Sequence, residues 1–211
     1  MKAKTDLLGL MLLPLAGAVC SARATFTVPG FELLYTQPAE TTLEQKDLRS
    51  PVEVWPEMFA AAKKTIDMGE FYFTPKAGEP AQKAFNELKK AGARGVKIRV
   101  LAEKKMEKAS EEGFAFLRTI PNLELRVINF SGIQNDGILH AKYFMVDGAM
   151  AYAGSHNFDW RSLKHIHELG LKVTVPALVK QMGEIFEQDW KSQPLAEAGQ
   201  PVPTLNKEPP P

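Results

Sequence analysis

Segments typical of β-strands alternate with segments typical of α-helices over most of this chain, and this alternation restricts its fold more than any other feature. Runs rich in β-branched and aromatic residues predict strands, and apolar side chains spaced three and four residues apart predict helices. The predicted strands are 66–73, 96–101, 123–128, 138–146, 149–153 and 168–175. The predicted helices are 51–65, 80–91, 111–119 and 176–190. This order favours a single α/β domain, a mixed β-sheet with helices on both faces.

The first residues are typical of a targeting signal rather than of part of this domain. Residues 1–24 have the order of a secretory signal, with two lysines, an apolar run and then Ala22-Arg23-Ala24. About a dozen apolar residues are too few to cross the roughly 30 Å hydrocarbon core as a helix. We therefore expect cleavage and a secreted or periplasmic protein. An uncleaved membrane anchor and lipid attachment at Cys20 are the alternatives.

Composition excludes several classes of protein. A total of 26 Lys and Arg against 25 Asp and Glu gives a net charge of +1, which excludes a histone-like nucleic-acid binder and an acidic disordered chain. Cys20 is the only cysteine, so a disulfide scaffold, a Cys-rich zinc site and an iron–sulfur cluster are excluded too. The chain is Pro-rich after Ser192, and we expect a disordered tail over 192–211 and a domain over 25–191.

The candidate catalytic residues lie in the segment that contains the histidines. All four histidines lie between His140 and His167, and histidine is suited to proton transfer and nucleophilic attack near neutral pH. Alternate side chains of a strand share a face, so the predicted strand 138–146 would place His140 and Lys142 about 7 Å apart, close enough to hold one phosphate. The plain alternative is a partly exposed strand that merely carries a His and a Lys.

Two motifs extend this pair into a possible site. Asp147 completes the first motif, H-x-K-x-x-x-x-D. The small-residue turn Gly154-Ser155-His156-Asn157 follows it and is the second motif. Such a turn can bring Ser155 and Asn157 beside the His–Lys pair. Imidazole, ammonium, hydroxyl and amide groups around one point form a phosphate site that includes a nucleophile.

The two motifs resemble the signature of the phospholipase D superfamily. Residues 154–170, the tripeptide Phe31-Glu32-Leu33 and the segment 70–73 are similar to the first repeat of the lysosomal phospholipase D-like 5′-exonucleases of animals. The similarity extends over about residues 31–191. It implies a metal-independent phosphodiesterase that needs no cofactor.

The resemblance also implies roles for particular residues. His140 would be the nucleophile that forms a covalent phosphohistidine, and Glu168 would orient its imidazole. Lys142 and Asn157 would hold the non-bridging phosphate oxygens, with Ser155 beside them as a further substrate contact.

Other residues near the motifs have weaker signals. His156 is a candidate substrate contact, because it lies between Ser155 and Asn157. Asp147 lies at a turn, so we expect it to support the loop rather than take part in chemistry. His165 and His167 have no third ligand nearby in the sequence, and we therefore expect no metal site.

The chain departs from the family in one respect. Family enzymes use two copies of the H-x-K-x-x-x-x-D motif, and the histidine of the second copy is the general acid. No second H-x-K occurs here. We expect a homodimer, or a partner chain that carries a second copy of the H-x-K motif. Half of a longer protein and an inactive half-domain used for binding are the alternatives. Similarity to exonucleases favours single-stranded nucleic acid as the phosphodiester substrate; phospholipase D or phosphatidyl transferase activity on phospholipids is the alternative.

Overall fold

A mixed β-sheet lies at the centre of the structure, a computed structural model that describes residues 27–133 and 137–202. In chain order its strands are β1 (Thr27–Val28), β2 (Phe31–Thr36), β3 (Thr65–Glu70), β4 (Phe73–Thr74), β5 (Lys97–Glu103), β6 (Leu123–Ile128), β7 (Tyr143–Val146), β8 (Met150–Gly154), β9 (Phe158–Asp159) and β10 (Glu168–Val173). The helices are α1 (Pro51–Ala61), α2 (Gln82–Ala93), α3 (Glu111–Leu117), α4 (Phe130–Ile133) and α5 (Pro176–Glu197). The predicted signal segment lies outside the described residues.

Eight of the described strands form one sheet in the order β1-β2-β10-β8-β7-β3-β5-β6. Strand β5 runs parallel to both β3 and β6, and the other neighbours in the sheet are antiparallel. Strands β4 and β9 form a separate parallel pair. The sheet is therefore mixed, as predicted.

Helices cover both faces of this sheet. On one face α1, α2 and α3 pack on a core that includes Trp55, Phe85 and Phe144. On the other face α5 packs through Phe186 and Trp190 on a second core. Two covered faces explain why β7 is buried along its whole length, and they confirm the predicted fold class.

Helix α5 continues beyond its predicted end and corrects the predicted tail boundary. Its last turns contain Ser192 and Gln193, which are buried, and Pro194. A proline inside a helix leaves the carbonyl four residues earlier without its usual donor, and here Arg126 donates to that carbonyl, the Trp190 oxygen, at 2.9 Å. Gln193 also donates to the Val127 carbonyl of β6 at 3.2 Å. These contacts hold residues 192–197 in the domain, so the predicted disorder is wrong there.

Asp147 stabilises the turn between β7 and β8. Asp147 and Gly148 have φ angles of 54° and 63°, which suit the tight turn predicted for a hairpin. The Asp147 carboxylate accepts from the backbone N–H groups of Lys63, Lys64 and Thr65 at 2.7–2.9 Å. Partial burial opposes the effect of these three donors, which leave the pKa of Asp147 below its ordinary value. The motif aspartate thus joins the hairpin to the start of β3, as expected of a supporting residue.

Candidate active site

The predicted site residues lie at one edge of the sheet. Strands β3 and β5 end there at Glu70 and Glu103, β8 ends at Gly154, β10 begins at Glu168, and Lys142 immediately precedes β7. We call this the site edge. Ligands of α/β sheets commonly bind outside the carboxyl ends of parallel strands, and β3 and β5 are such a parallel pair.

His140 and Lys142 are in contact at the site edge. The Lys142 ammonium nitrogen lies 3.1 Å from each ring nitrogen of His140 and donates to the His140 carbonyl at 2.7 Å. The His140 ring also packs edge-on against Phe71, with 4.6 Å between ring centroids. Desolvation and the Lys142 charge lower the pKa of His140. A lowered pKa favours the neutral imidazole, which is the form that can act as a nucleophile.

The pair is not positioned by strand alternation. The predicted strand 138–146 begins only at Tyr143. Buried Glu103 accepts from the backbone N–H of Leu139 at 2.7 Å and from that of Lys105 at 3.0 Å. Leu139 is thus held by a side chain of β5 rather than by a neighbouring strand. Sequence reasoning missed Glu103, because an acidic residue after a predicted strand is usually a surface group.

Lys142 is 6% exposed and lies among carboxyl groups. Burial lowers its pKa, and the carboxyl groups of Glu70 and Glu168 oppose that shift. Its carbonyl accepts from the N–H of Gly154 at 3.1 Å, which joins the two motifs across the sheet. The cation is therefore fixed close to both the His140 ring and the start of the second motif.

Glu168 lies close enough to influence Lys142 but makes no hydrogen bond to His140. One of its carboxyl oxygens accepts from the Ser162 hydroxyl at 3.3 Å. The other, Oε2, is buried without a hydrogen-bond partner among the described residues and lies 3.9 Å from Nδ1 of His156. Burial raises the pKa of Glu168 to about 7. The group can therefore change its charge near neutral pH. Its implied role in orienting the imidazole stays a prediction.

His156 is buried beneath the site, and the prediction that it contacts substrate is wrong. It is 0% exposed, its Nδ1 lies 2.6 Å from the Tyr152 hydroxyl and its Nε2 lies 3.1 Å from the Thr36 hydroxyl. The Thr36 hydroxyl lies within hydrogen-bonding distance of two backbone carbonyls, so its oxygen accepts from Nε2–H and Nδ1 accepts from Tyr152. Burial lowers the pKa of His156 to about 3. This residue is a neutral support of the loop.

Two glycines make room for the bond between Tyr152 and His156. A Cβ atom on Gly154 would lie 2.4 Å from the Tyr152 hydroxyl, and one on Gly170 would lie 2.5 Å from it. Neither residue has a positive φ. The glycine of the second motif is therefore required by close packing rather than by the geometry of a turn.

The remaining residues of the second motif differ in their surroundings. Ser155 is exposed, and its hydroxyl oxygen lies 3.3 Å from both the backbone nitrogen and the carbonyl oxygen of Leu169. The backbone N–H of Asn157 donates to the Ser162 hydroxyl at 3.2 Å. The side-chain oxygen of Asn157 is buried with no partner among the described residues.

An apolar groove of about 460 Å³ runs from the site edge along α5. Its walls include Lys142 and Gly154 at one end and apolar side chains beyond them. Several large apolar side chains are exposed in or beside this α5 groove: Leu169, Leu171, Leu178 and Ile185. Contiguous exposed apolar surface of this kind often marks an interaction site.

No group of three or more metal-ligating side chains occurs within residues 27–133 and 137–202. His165 packs edge-on against Trp160, whereas His167 packs against Tyr35. The two histidines thus contact different aromatic partners. In the same residues no helix combines the length and the apolar character that crossing a bilayer requires.

Comparisons with known proteins agree with this arrangement. A family profile described as the phospholipase D-like domain of cardiolipin synthase matches residues 56–190. Phospholipase D Z of Dictyostelium discoideum is 33% identical over 155 residues, which is 69% of this chain and 36% of that protein. The 5′-3′ exonuclease PLD3 of Bos taurus is 27% identical over 166 residues, which is 74% of this chain and 33% of that protein. The chain thus spans about a third of the length of these curated relatives.

A solved structure has the same fold. The phospholipase D family member Nuc of Salmonella typhimurium superposes with a TM-score of 0.61 at 20% identity, over 77% of this chain and 94% of that chain. A two-sided mixed sheet with the H-x-K and G-S-x-N residues at one edge defines a phospholipase D-like domain. The chain belongs to the phospholipase D superfamily, which confirms the resemblance.

Proposed function

We propose that this protein is a phosphodiesterase that works through a covalent phosphohistidine on His140. The observation that carries the proposal is the contact between the His140 ring and the buried Lys142 ammonium. A ring nitrogen attacks phosphorus, an N–P bond forms, and the bond to the leaving oxygen breaks while that oxygen takes a proton. Water then attacks phosphorus and gives a proton to the group that had protonated the leaving oxygen, the N–P bond breaks, and His140 is regenerated with release of a phosphomonoester.

The other groups at the site edge stabilise charge. Lys142 lies beside the nucleophile and neutralises the non-bridging oxygens of the pentavalent transition state. Asn157 would donate through its side-chain NH2 group to a non-bridging oxygen, and Ser155 is exposed two residues before it. Glu168, when ionised, favours the positive charge that the imidazole gains on forming the adduct.

The leaving oxygen requires an acid on the far side of phosphorus from His140. In-line displacement places the entering and leaving groups about 180° apart, so one imidazole cannot serve both. We propose that His140 of a second copy is this acid, with the cleft on a twofold axis. The exposed side chains of Leu169, Leu171, Leu178 and Ile185 support this, because they form an apolar surface beside the site that a second copy would cover.

Single-stranded nucleic acid is the substrate we propose, because the similar bovine protein is named a 5′-3′ exonuclease. Phospholipid is the second candidate. It is favoured by the similar Dictyostelium protein, named a phospholipase D, and by the α5 groove, which opens at Lys142 and could hold an acyl chain.

The purified protein should be assayed against single-stranded DNA and against phosphatidylcholine vesicles, with His140→Asn as the control. We expect hydrolysis of DNA by the wild type, none by His140→Asn, and an acid-labile phosphoryl adduct on wild-type His140 when the reaction is quenched by alkaline denaturation. Full activity of His140→Asn would overturn the mechanism. Turnover of the vesicles alone would select the second candidate.

The variant Lys142→Ala tests the alternative that the protein is an inactive half-domain, which binds a phosphodiester without hydrolysing it. If the protein is an enzyme, this variant loses turnover strongly, because a charge that stabilises the transition state is removed. If the protein only binds, the wild type turns over no phosphodiester, and Lys142→Ala merely weakens binding.

A further inference from the structure

Glu70 is a buried acid to which neither motif assigns a role. It is the last residue of β3, it is 0% exposed, and neither carboxyl oxygen has a hydrogen-bond partner among the described residues. Burying a carboxyl group without partners costs free energy. Its presence at the site edge therefore calls for a functional reason.

The sheet places Glu70 beside Lys142. Strands β3 and β7 are antiparallel with Gly69 opposite Tyr143. Continuing this register by one residue, beyond the start of β7, would set Glu70 opposite Lys142. Directly opposed residues point to the same face with their Cβ atoms about 5 Å apart. The Lys142 side chain is itself buried, so the interaction between the two charges is only weakly screened by solvent. Each group consequently acts on the titration of the other.

We propose that Glu70 is a positioning residue that sets the charge which Lys142 presents to the substrate phosphate, and this rests on the function proposed above. While Glu70 is protonated, it leaves the Lys142 charge free to bind a phosphodiester. When Glu70 loses its proton, the carboxylate pairs with the ammonium group, and the site loses its attraction for an anion. Burial raises the pKa of Glu70 well above its ordinary value, and Lys142 opposes this shift, which favours the protonated form in the free protein.

Several other titratable groups face this pair. Tyr143 on β7 and Tyr152 on β8 interact with Glu70, and burial raises the pKa of both tyrosines, which therefore stay neutral. His140 contacts Lys142, and Glu168 interacts with its charge. The remaining neighbours are Glu103 on β5, bonded to two backbone amides, and the neutral His156. Of these groups, Glu168 is the one whose titration could be mistaken for that of Glu70, since its pKa is about 7.

The test is the pH dependence of binding of bis(4-nitrophenyl) phosphate, a diester whose charge is constant between pH 5 and 9. Binding is measured by calorimetry in the His140→Asn background, so that hydrolysis does not interfere. With Glu70 intact, we expect affinity to fall as the pH rises. With Glu70→Gln added, we expect equal affinity at pH 5 and about tenfold tighter binding at pH 9, because the neutral amide never pairs with Lys142. The same pH profile with and without Glu70→Gln would overturn the proposal.

Three further variants make the result specific. Glu168→Gln is expected to remove only the part of the pH dependence that belongs to Glu168. Asp189→Asn is the matched control, since Asp189 on α5 is another carboxyl whose pKa burial raises, to about 6; its profile should equal that of its background. If Glu70→Gln does not fold, Glu70→Asp keeps the charge but retracts it, so the midpoint of the pH dependence should shift. An unshifted midpoint would contradict the proposal.

Turnover separates this inference from the proposed function. In otherwise wild-type protein, Glu70→Gln should raise kcat/KM at alkaline pH and leave it unchanged at pH 5, because Glu70 acts through the Lys142 charge that the substrate phosphate contacts. If the protein hydrolyses no phosphodiester at all, the proposed function fails while the binding result still decides the role of Glu70.

Discussion

The hydroxyl of Tyr152 lies 2.6 Å from Nδ1 of His156, and this hydrogen bond links β8 to the loop that carries the second motif. Both residues are fully buried. The Tyr152 side chain reaches His156 only because Gly154 and Gly170 have no Cβ atoms. The contact therefore unites a strand, a motif glycine and a buried histidine in one structural unit below the site edge.

Tyr152→Phe should lower the free energy of unfolding by about 1–3 kcal/mol, because it leaves a buried ring nitrogen without a partner. Urea unfolding at pH 7 measures the loss. Tyr143→Phe is a matched control, since the Tyr143 hydroxyl is buried with no partner among the described residues, and its removal should cost little or nothing. Equal losses in the two variants would show that the Tyr152–His156 bond adds no stability.

Asp147→Asn should destabilise the protein by about 1–3 kcal/mol at pH 7, because the carboxylate that accepts three backbone N–H groups loses its charge. Asparagine tolerates the positive φ of this position, so the turn itself is kept. The lowered pKa makes this stabilisation present above the ordinary value of 3.8 and lost as the pH falls through the native-state pKa. The difference from wild type should therefore shrink in acid.

Urea midpoints of wild type and Asp147→Asn at pH 7 and pH 3 provide the measurement. Turnover per folded molecule should stay the same at pH 7, since the aspartate lies at the opposite end of β7 from Lys142. A variant that is fully stable but inactive would place Asp147 in the chemistry instead.

Much of the fold could be predicted because its signals are local. Periodicity located most helices and strands, and β6 has the predicted bounds. Strands β1 and β2 were missed, since the segment Phe31–Thr36 lacks clear alternation. The end of α5 was missed because a proline usually ends a helix, whereas here the Arg126 guanidinium replaces the lost donor to the Trp190 carbonyl. That compensation comes from a strand distant in sequence and leaves no local pattern.

The candidate site was predicted in part for a related reason. The motifs identified His140 and Lys142, which are in contact, although the strand expected to align them begins only after Lys142. The direction in which His156 points depends on Tyr152 and Thr36, and no spacing rule reports it. Glu70 looks like a surface carboxylate in the sequence. Only the sheet register reveals that it is buried beside Lys142.

Activity should survive EDTA, because the proposed mechanism uses the side chains of His140, Lys142 and Asn157 and assigns no role to a metal ion. The measurement is turnover before and after dialysis against the chelator. A complete loss that added divalent metal restores would contradict the proposed chemistry.

Mixing wild-type and His140→Asn chains tests the proposed twofold site. A mixed dimer lacks either its nucleophile or its acid, so activity should fall roughly as the square of the wild-type fraction. The chains must be mixed under conditions that allow exchange, and turnover is then measured at several ratios. A linear fall, or an active monomer in ultracentrifugation, would indicate that each chain holds its own complete site.

The pairing of β2 with β10 sets the order in which the chain can complete its structure. Thr36 on β2 donates to the carbonyl of Ile166, 130 residues further along the chain, and the same hydroxyl contacts buried His156. Contacts over such a separation carry a large loop-closure entropy and slow folding. A chain synthesised from its N-terminus must therefore keep β2 unpaired on its β10 side until almost the whole domain has been made. We expect the support beneath the phosphate site to form in the final folding step, so a partly synthesised chain would hold the catalytic motifs without the means to use them.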